Sequence, residues 1–537
     1  MTKTRKAPAD ALGRMLGLRP ATNRYTVRHV RIPMRDGIRL VADHYVPHDA
    51  AGGPAGTLLV RGPYGRSVPF SLAFARLYAA RGYHVVLQSV RGTFGSEGEF
   101  EPMVNEAADG ADTVAWLRKQ PWFTGRFATV GLSYLGFTQW ALLHDPPPEL
   151  AAAVITAGPH DFRDSVWGTG SFANDFLAWS DMVARQEGPM HRRAINQLTA
   201  PRRVTRALRA LPLGESARAM LGDGAPWFES WVEHTEDDDP FWDAVRFPAA
   251  LDRVDVPVLL LSGWQDIFVG QTVRQYWHLR DRGVNVALTV GPWTHTQMLT
   301  KGLATCARET LDWLDAHLAG DSAPRRPNTV RVFVNGQGWH HLPDWPPETS
   351  EQALYLHPHG RLDVTPPPSG APPATFRADP EHPTPVIGGP LLAPTGGYRN
   401  DTRLASRDDV LAFTGATLTQ DLTVHGHPII ELEHSADNPN VDLFVRVSEV
   451  DPKGRSRNVT EAYRRLSDGA RPVKVELDPI AHRFKAGSRI RVLIAGSWFP
   501  RYAPNLGTGE PTLTARQLKP ATHSVHFGES RLVLPVH

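Results

Sequence analysis

A serine, an aspartate and a histidine stand at three comparable places in this chain, each just beyond a short apolar run. Ser133 lies in RFATVGLSYLGFTQWALL (residues 126–143), Asp266 in WQDIF after VPVLLLSG, and His295 in GPWTHTQ after NVALTV. Together these side chains can perform acyl transfer. A serine hydroxyl is a poor nucleophile at neutral pH, so a histidine must accept its proton during attack and return it to the leaving group. An aspartate holds that imidazole in one tautomer and stabilises its charged form. Taken singly, each has a plainer reading: Ser133 as a helix N-cap, Asp266 as a turn residue, His295 as a loop histidine with both nitrogens satisfied. The sharp turn that lifts a nucleophile above a sheet reads G-x-S-x-G, and here Leu135 stands where the second glycine belongs.

Residues so far apart can cooperate only if strands of one sheet deliver them to the same edge, and loops at the carboxyl ends of a doubly wound sheet do this. The segment YTVRHVRIPMRDGIRLVADHYVP reads as two alternating strands around a turn at Arg35–Gly37. Then come TLLVRGPYG, a helical pattern at Phe74, Leu77 and Tyr78, the strand HVVLQSV (84–90), and a helix placing Ala107, Ala111, Val114 and Leu117 on one face. The rhythm continues in AAAVITAG (151–158), VPVLLLSG (256–263) and NVALTVGPW (285–293). Short apolar strands alternating with helices imply a mainly parallel sheet covered on both faces. The order Ser, Asp, His along such a sheet is that of an α/β-hydrolase triad.

The predicted fold class is therefore α/β, a hydrolase domain from residues 21–158 and 251–320. Between them, residues 159–250 carry Trp167, Phe172, Phe176, Trp179 and Met182 among helix formers and arginines, which predicts a helical cap inserted over the sheet's carboxyl edge. Residues 325–537 change texture to short alternating strands such as TVRVFVNG, ALYLHPHG, VDLFVRVSEV and RIRVLIAGS, separated by proline-rich loops. This predicts an all-β jelly roll. The first twenty residues are expected to be mobile.

Composition narrows the partners. The 537 residues carry a formal net charge of +2, too small to argue for a nucleic-acid partner. Arg192, Arg193, Arg202, Arg203, Arg206 and Arg209 cluster locally and read as a solvated helical face. Cys306 is the only cysteine, which excludes an internal disulfide framework. The amino-terminal stretch is basic without a sustained apolar region, and no apolar run is long enough to cross a bilayer, so the expected compartment is the cytoplasm. The expected partner is a small-molecule ester or amide, with no membrane and no cofactor, and a homodimer is compatible with the sequence.

Attack on a carbonyl creates an oxyanion that needs fixed donors. The backbone N–H of Tyr134 is one natural donor. A second should come from the loop after an early strand, where LLVRGPYG offers Tyr64; spacing alone favours a rim aromatic there.

The stretches GLSYLGFTQW, VRGPYG, VRGTFGSEGEF, GWQDIFVGQT and GPWTHTQ together resemble the cocaine-esterase-like branch of the CocE/NonD hydrolases, related to X-prolyl dipeptidyl-peptidases and α-amino-acid ester hydrolases. In the second half, DLFVRVSEVDPKGRSRNVTEAYRR and FKAGSRIRVLIAGSWFPRYAPN resemble that family's jelly roll. The resemblance implies Ser133 as nucleophile, Asp266 and His295 as its partners, and the Tyr64 hydroxyl with the Tyr134 amide as oxyanion hole. It also accounts for Leu135, because the family motif reads G-x-S-Y-x-G; Gly136 would then admit close approach of helix to sheet while Leu135 fills space beside it.

Substrate choice follows from charge. Relatives that recognise a free α-amino group place carboxylates near the scissile bond, whereas Ile267, Phe268 and Val269 follow Asp266 here. An apolar wall cannot pair an ammonium, and burying that charge unpaired is costly. This disfavours amino-acid ester hydrolysis and, less strongly, dipeptidyl-peptidase action, since Asp161, Asp164, Asp175 or Asp181 could supply a counter-charge. The resemblance suggests an acyl pocket lined by Trp167, Trp179 and Phe268, against the alternative that the cap aromatics only pack the insertion. His425 with His427, and His357 with His359, have strand spacing for metal ligation, but no third ligand is evident. The rivals to an esterase are an exopeptidase or acylase using the same triad, and a noncatalytic jelly-roll binding protein.

Overall fold

Two antiparallel strands, β1 (Arg24–Pro33) and β2 (Arg39–His48), form the expected hairpin, with Gly37 at φ 91° in its turn. They open a sheet that runs on through β3 (Gly56–Gly62), β4 (Tyr83–Ser89), β5 (Phe127–Leu132), β6 (Leu150–Thr156), β7 (Val258–Gln265) and β8 (Val286–Thr294). Its order begins β1-β2-β4-β3-β5-β6-β7-β8. Strands β4, β3, β5, β6 and β7 pair in parallel. Every residue of β3, β4, β5 and β6 is buried, as continuous apolar runs covered on both faces require. This computed structural model describes residues 10–48, 54–320, 326, 329–466 and 472–537, which divide into two compact units. The first unit takes the described residues up to Phe162 with Pro240–Gly263 and Gln271–Arg331.

Within the segment expected to be mobile, residues 1–9 lie outside the described residues. The rest carries a short helix, Ala11–Met15, capped by Asp10. Asp10 also pairs with Arg81 at 2.6 Å, and Arg19 with Asp315 at 2.9 Å, so ion pairs fasten this stretch alongside the buried Leu18.

Helix α1 (Glu106–Leu117) differs from its predicted register. Val114 and Leu117 are buried as expected, but Ala111 is exposed, and the inward face also carries Glu106, Asp109, Gly110 and Thr113. The cause is charge pairing: Glu106 meets Arg61 at 3.0 Å and Asp109 meets Arg91 at 2.6 Å. Apolar periodicity cannot register a carboxylate that is buried because an arginine awaits it. Helix α2 (Tyr134–Leu143) is buried at all ten positions, the pattern of a helix enclosed on every side.

The second unit comprises Arg163–Asp239, Trp264–Gly270 and Val332 onward. Residues 163–239 of the expected cap and those from 332 onward of the expected jelly roll thus belong to one compact unit, while 159–162 and 240–250 go with the first. Its helical part includes Asp175–Ala184, Met190–Arg209, Leu213–Leu221 and Trp227–Glu233. Arg192, Arg202, Arg206 and Arg209 are exposed, the solvated face expected, while Arg203 and Arg185 both bind Asp181. The β-rich part is a twelve-stranded jelly roll among the described residues. Its core includes Leu443, Val445, Val447, Val492 and Ile494 from the neighbouring strands Val441–Val450 and Arg489–Ala495.

Candidate active site

Ser133 occupies the single residue between β5 and α2, at φ 62° and ψ −122°. A side chain in such a conformation costs on the order of 1–3 kcal/mol and persists only where the surroundings enforce it. The surroundings here are main-chain bonds: its N–H donates to the Thr156 carbonyl at 2.9 Å, and its carbonyl accepts from Gly136 at 2.7 Å and Phe137 at 2.9 Å. The hydroxyl makes no capping bond to the helix, and the residue is only half-buried. The N-cap alternative is thereby removed.

The neighbouring small residues explain the turn. A Cβ on Gly136 would lie 2.6 Å from the Gly158 Cα, so α2 and the chain after β6 touch backbone to backbone. Leu135 covers Gly131 and Gly62, where added Cβ atoms would each fall 2.4 Å from its side chain. The imperfect motif is a close-packed one, with Gly136 admitting the approach and Leu135 filling the adjacent space.

Tyr64 and Tyr134 lie together, their rings edge to face with centroids 6.4 Å apart, and Tyr64 stacks on Phe70 at 5.0 Å. Tyr134 is buried. Its hydroxyl donates to Glu106 Oε1 at 2.7 Å and accepts from the Met103 amide at 2.7 Å. Burial, then the neighbouring Glu106 charge, pushes this phenol well above its ordinary range, so it remains a donor. Burial also raises the Glu106 carboxyl, and Arg61 draws it back in part. The Arg61–Glu106 contact is an ion pair without hydrogen-bond alignment; Arg61 directs its N–H groups to the Glu106 carbonyl at 2.8 Å and to Gln88 Oε1 at 2.7 Å.

His295 directly follows β8, is 6% exposed, and begins the short turn Thr296–Leu299. It shares the first unit with Ser133, Tyr64 and Tyr134. Asp266 directly follows β7, is 1% exposed, and belongs with Phe268 to the second unit. There the segment is anchored by amides: Gln265 Nε2 donates to the Val459 carbonyl at 3.1 Å, and Asn458 Nδ2 donates to Gln265 Oε1 at 3.1 Å. Trp264 adds an indole bond to the Phe333 carbonyl at 2.8 Å.

Trp167 and Trp179 are buried in an aromatic cluster of the second unit. The Trp167 indole donates to the Trp231 carbonyl at 2.7 Å, and Trp179 lies 6.0 Å from the Trp231 ring. Of the histidine pairs, His357 spends both ring nitrogens on Thr365 and Arg361. His425 is buried in the strand Leu422–Gly426, with His427 just beyond it bonded to the Leu477 carbonyl. Arg61, Glu106, Gln265 and Asn458 had no sequence signal of their own. The glutamate in NEAADG came nearest, as a charge at the start of an otherwise small-residue helix.

Residues 36–297 match the X-Pro dipeptidyl-peptidase (S15) family, and residues 323–532 match the X-Pro dipeptidyl-peptidase C-terminal non-catalytic domain. The cocaine esterase of Rhodococcus sp. (strain MB1 Bresler) is 30% identical over 95% of this chain and 98% of its own. An α-amino acid ester hydrolase has a similar structure, with TM-score 0.81 and 24% identity over 96% of this chain and 97% of that one. An aminopeptidase from a marine-sediment Thaumarchaeota archaeon gives TM-score 0.81 and 24% identity, over 96% of each chain. These two structures establish the α/β-hydrolase and jelly-roll fold. With an enforced, uncapped serine between β5 and α2 and a cocaine-esterase relative spanning nearly its whole length, the chain belongs to the CocE/NonD family of serine hydrolases.

Proposed function

We propose that this enzyme hydrolyses uncharged carboxylic esters through Ser133, His295 and Asp266. The Ser133 hydroxyl attacks the ester carbonyl while His295 takes its proton, and Asp266 stabilises the imidazolium. The Tyr64 hydroxyl and the Tyr134 backbone N–H receive the oxyanion. Collapse expels the alcohol, protonated by His295, and leaves an acyl-serine; water activated by the same histidine then releases the acid. The observation that carries this reading is the enforced φ of Ser133 with its hydroxyl withheld from capping.

An ester of a neutral acyl group is favoured over a substrate with a free amine. The residues after Asp266 are apolar, with Phe268 and Val269 buried. Three of the four cap carboxylates that could have met an ammonium are engaged: Asp181 by Arg185 and Arg203, Asp161 by Arg246 at 3.1 Å, and Asp175 by the Leu392 amide at 3.1 Å. The acyl pocket is assigned to Phe268, Trp167 and Trp179, whose aromatic faces suit aryl or branched acyl groups. Comparing kcat/KM for p-nitrophenyl acetate, p-nitrophenyl benzoate and Ala-Pro-p-nitroanilide tests the choice. The esters should be turned over faster; a strong preference for the anilide would assign the site to an exopeptidase instead.

No helix among the described residues is long and apolar enough to cross a membrane.

A further inference from the structure

The ion pair between Arg61 and Glu106 lies behind the turn that carries Ser133, its side chains 3% and 4% exposed. Buried pairs of this kind add little to stability, because desolvation offsets their attraction and apolar residues of similar volume serve as well. What the two ions touch gives a better reason for them. Arg61 is the penultimate residue of β3, three residues before Tyr64. Glu106 opens α1 and accepts the hydroxyl of Tyr134, the residue after Ser133. The same phenol oxygen accepts the Met103 amide, so the ring is held from two sides. Gly110 leaves room for the guanidinium: a Cβ there would lie 2.9 Å from Arg61 Nη1.

We infer that Glu106, braced by Arg61, is a positioning residue of the oxyanion hole: through the Tyr134 phenol it fixes the peptide unit that follows Ser133, while Arg61 ties it to the strand leading to Tyr64. This rests on the proposed roles of Ser133, Tyr64 and the Tyr134 amide. Neither Glu106 nor Arg61 touches substrate. Because the oxyanion develops only on the way to the tetrahedral intermediate, slackening its donors lowers turnover and leaves ground-state binding alone.

Tyr134→Phe isolates the effect, since it keeps the ring and the main-chain N–H and deletes only the hydroxyl that Glu106 holds. Turnover of p-nitrophenyl benzoate should fall about tenfold with KM changed by less than about twofold. Combined with Tyr64→Phe, the loss should be smaller than the product of the single losses, because both substitutions act on one oxyanion. Glu106→Gln, which still offers an oxygen to the phenol, should retain more turnover than Glu106→Leu. A Tyr134→Phe enzyme within about twofold of wild-type kcat, or losses that multiply fully with Tyr64→Phe, would overturn the inference. Fluorophosphonate labelling that is lost in Ser133→Ala would leave the nucleophile assignment standing in that event. Labelling equal in Ser133→Ala and wild type would instead remove the reading on which the inference depends.

Discussion

Arg61 and Glu106 back the Tyr134 end of the first unit with a buried ion pair, whereas Gln265 and Asn458 back the segment bearing Asp266 with neutral amides in the second. The charged anchor can orient a phenol firmly, but it holds two desolvated ions that each depend on the other. The amide anchor makes shared, redundant bonds: Asn458 Nδ2 also reaches the Gly397 carbonyl and its Oδ1 accepts from the Arg399 amide. One end therefore resists displacement at the risk of collapse if a partner is lost. The other tolerates damage. The β-rich region, matched to a domain described as non-catalytic, thus holds in place a segment that carries a proposed catalytic carboxylate.

Tyr64→Phe should produce the largest change at the first anchor's end, a loss of kcat of roughly 10²- to 10³-fold with the fold intact. Unchanged turnover would return Tyr64 to the rim and strip the charged anchor of one of its two beneficiaries. Glu106→Leu strands the Arg61 charge and should cost about 3–5 kcal/mol in urea denaturation. Asn458→Leu should cost about 1–3 kcal/mol. Equal losses would erase the distinction between the anchors.

A further effect is one that the two units share. Each contains a buried pair of hydrogen-bonded histidines: His44 with His84 at 2.9 Å, and His434 with His523 at 3.0 Å. Burial lowers His44 to about 3, His84 to about 4 and His523 to about 3. Unfolded histidines take up protons near pH 6.5 while these cannot, so the stability they contribute is complete above about that pH and is lost as the pH falls toward 4. Melting temperatures recorded from pH 7.5 down to about 4.5 should decline through this window. A flat profile would mean that His44, His84 and His523 are not kept neutral by their surroundings.

The strand ends that deliver Ser133, Asp266 and His295 were legible because each is a short apolar run stopped by polar or glycine-rich sequence. The compact turn was legible in outline too, since Gly131 and Gly136 mark where backbone must meet backbone. The face of α1 was not. Its small apolar residues suggested a register in which Ala111 packs inward, while the real inward face is chosen by Arg61 and Arg91 from elsewhere in the chain. Nor could sequence pair Gln265 with Asn458, because 193 positions separate them and neither has a periodicity that points to the other. The cap and the jelly roll read as separate textures, yet texture reports local structure and not which regions form one compact unit.

The account turns on Ser133 as the acyl-accepting atom, and a fluorophosphonate adduct located by peptide mass spectrometry tests that most directly. A single adduct on the peptide containing Ser133, absent from Ser133→Ala together with ester turnover, is the predicted result. An adduct on any other residue, or labelling and turnover undiminished in the alanine variant, would contradict it.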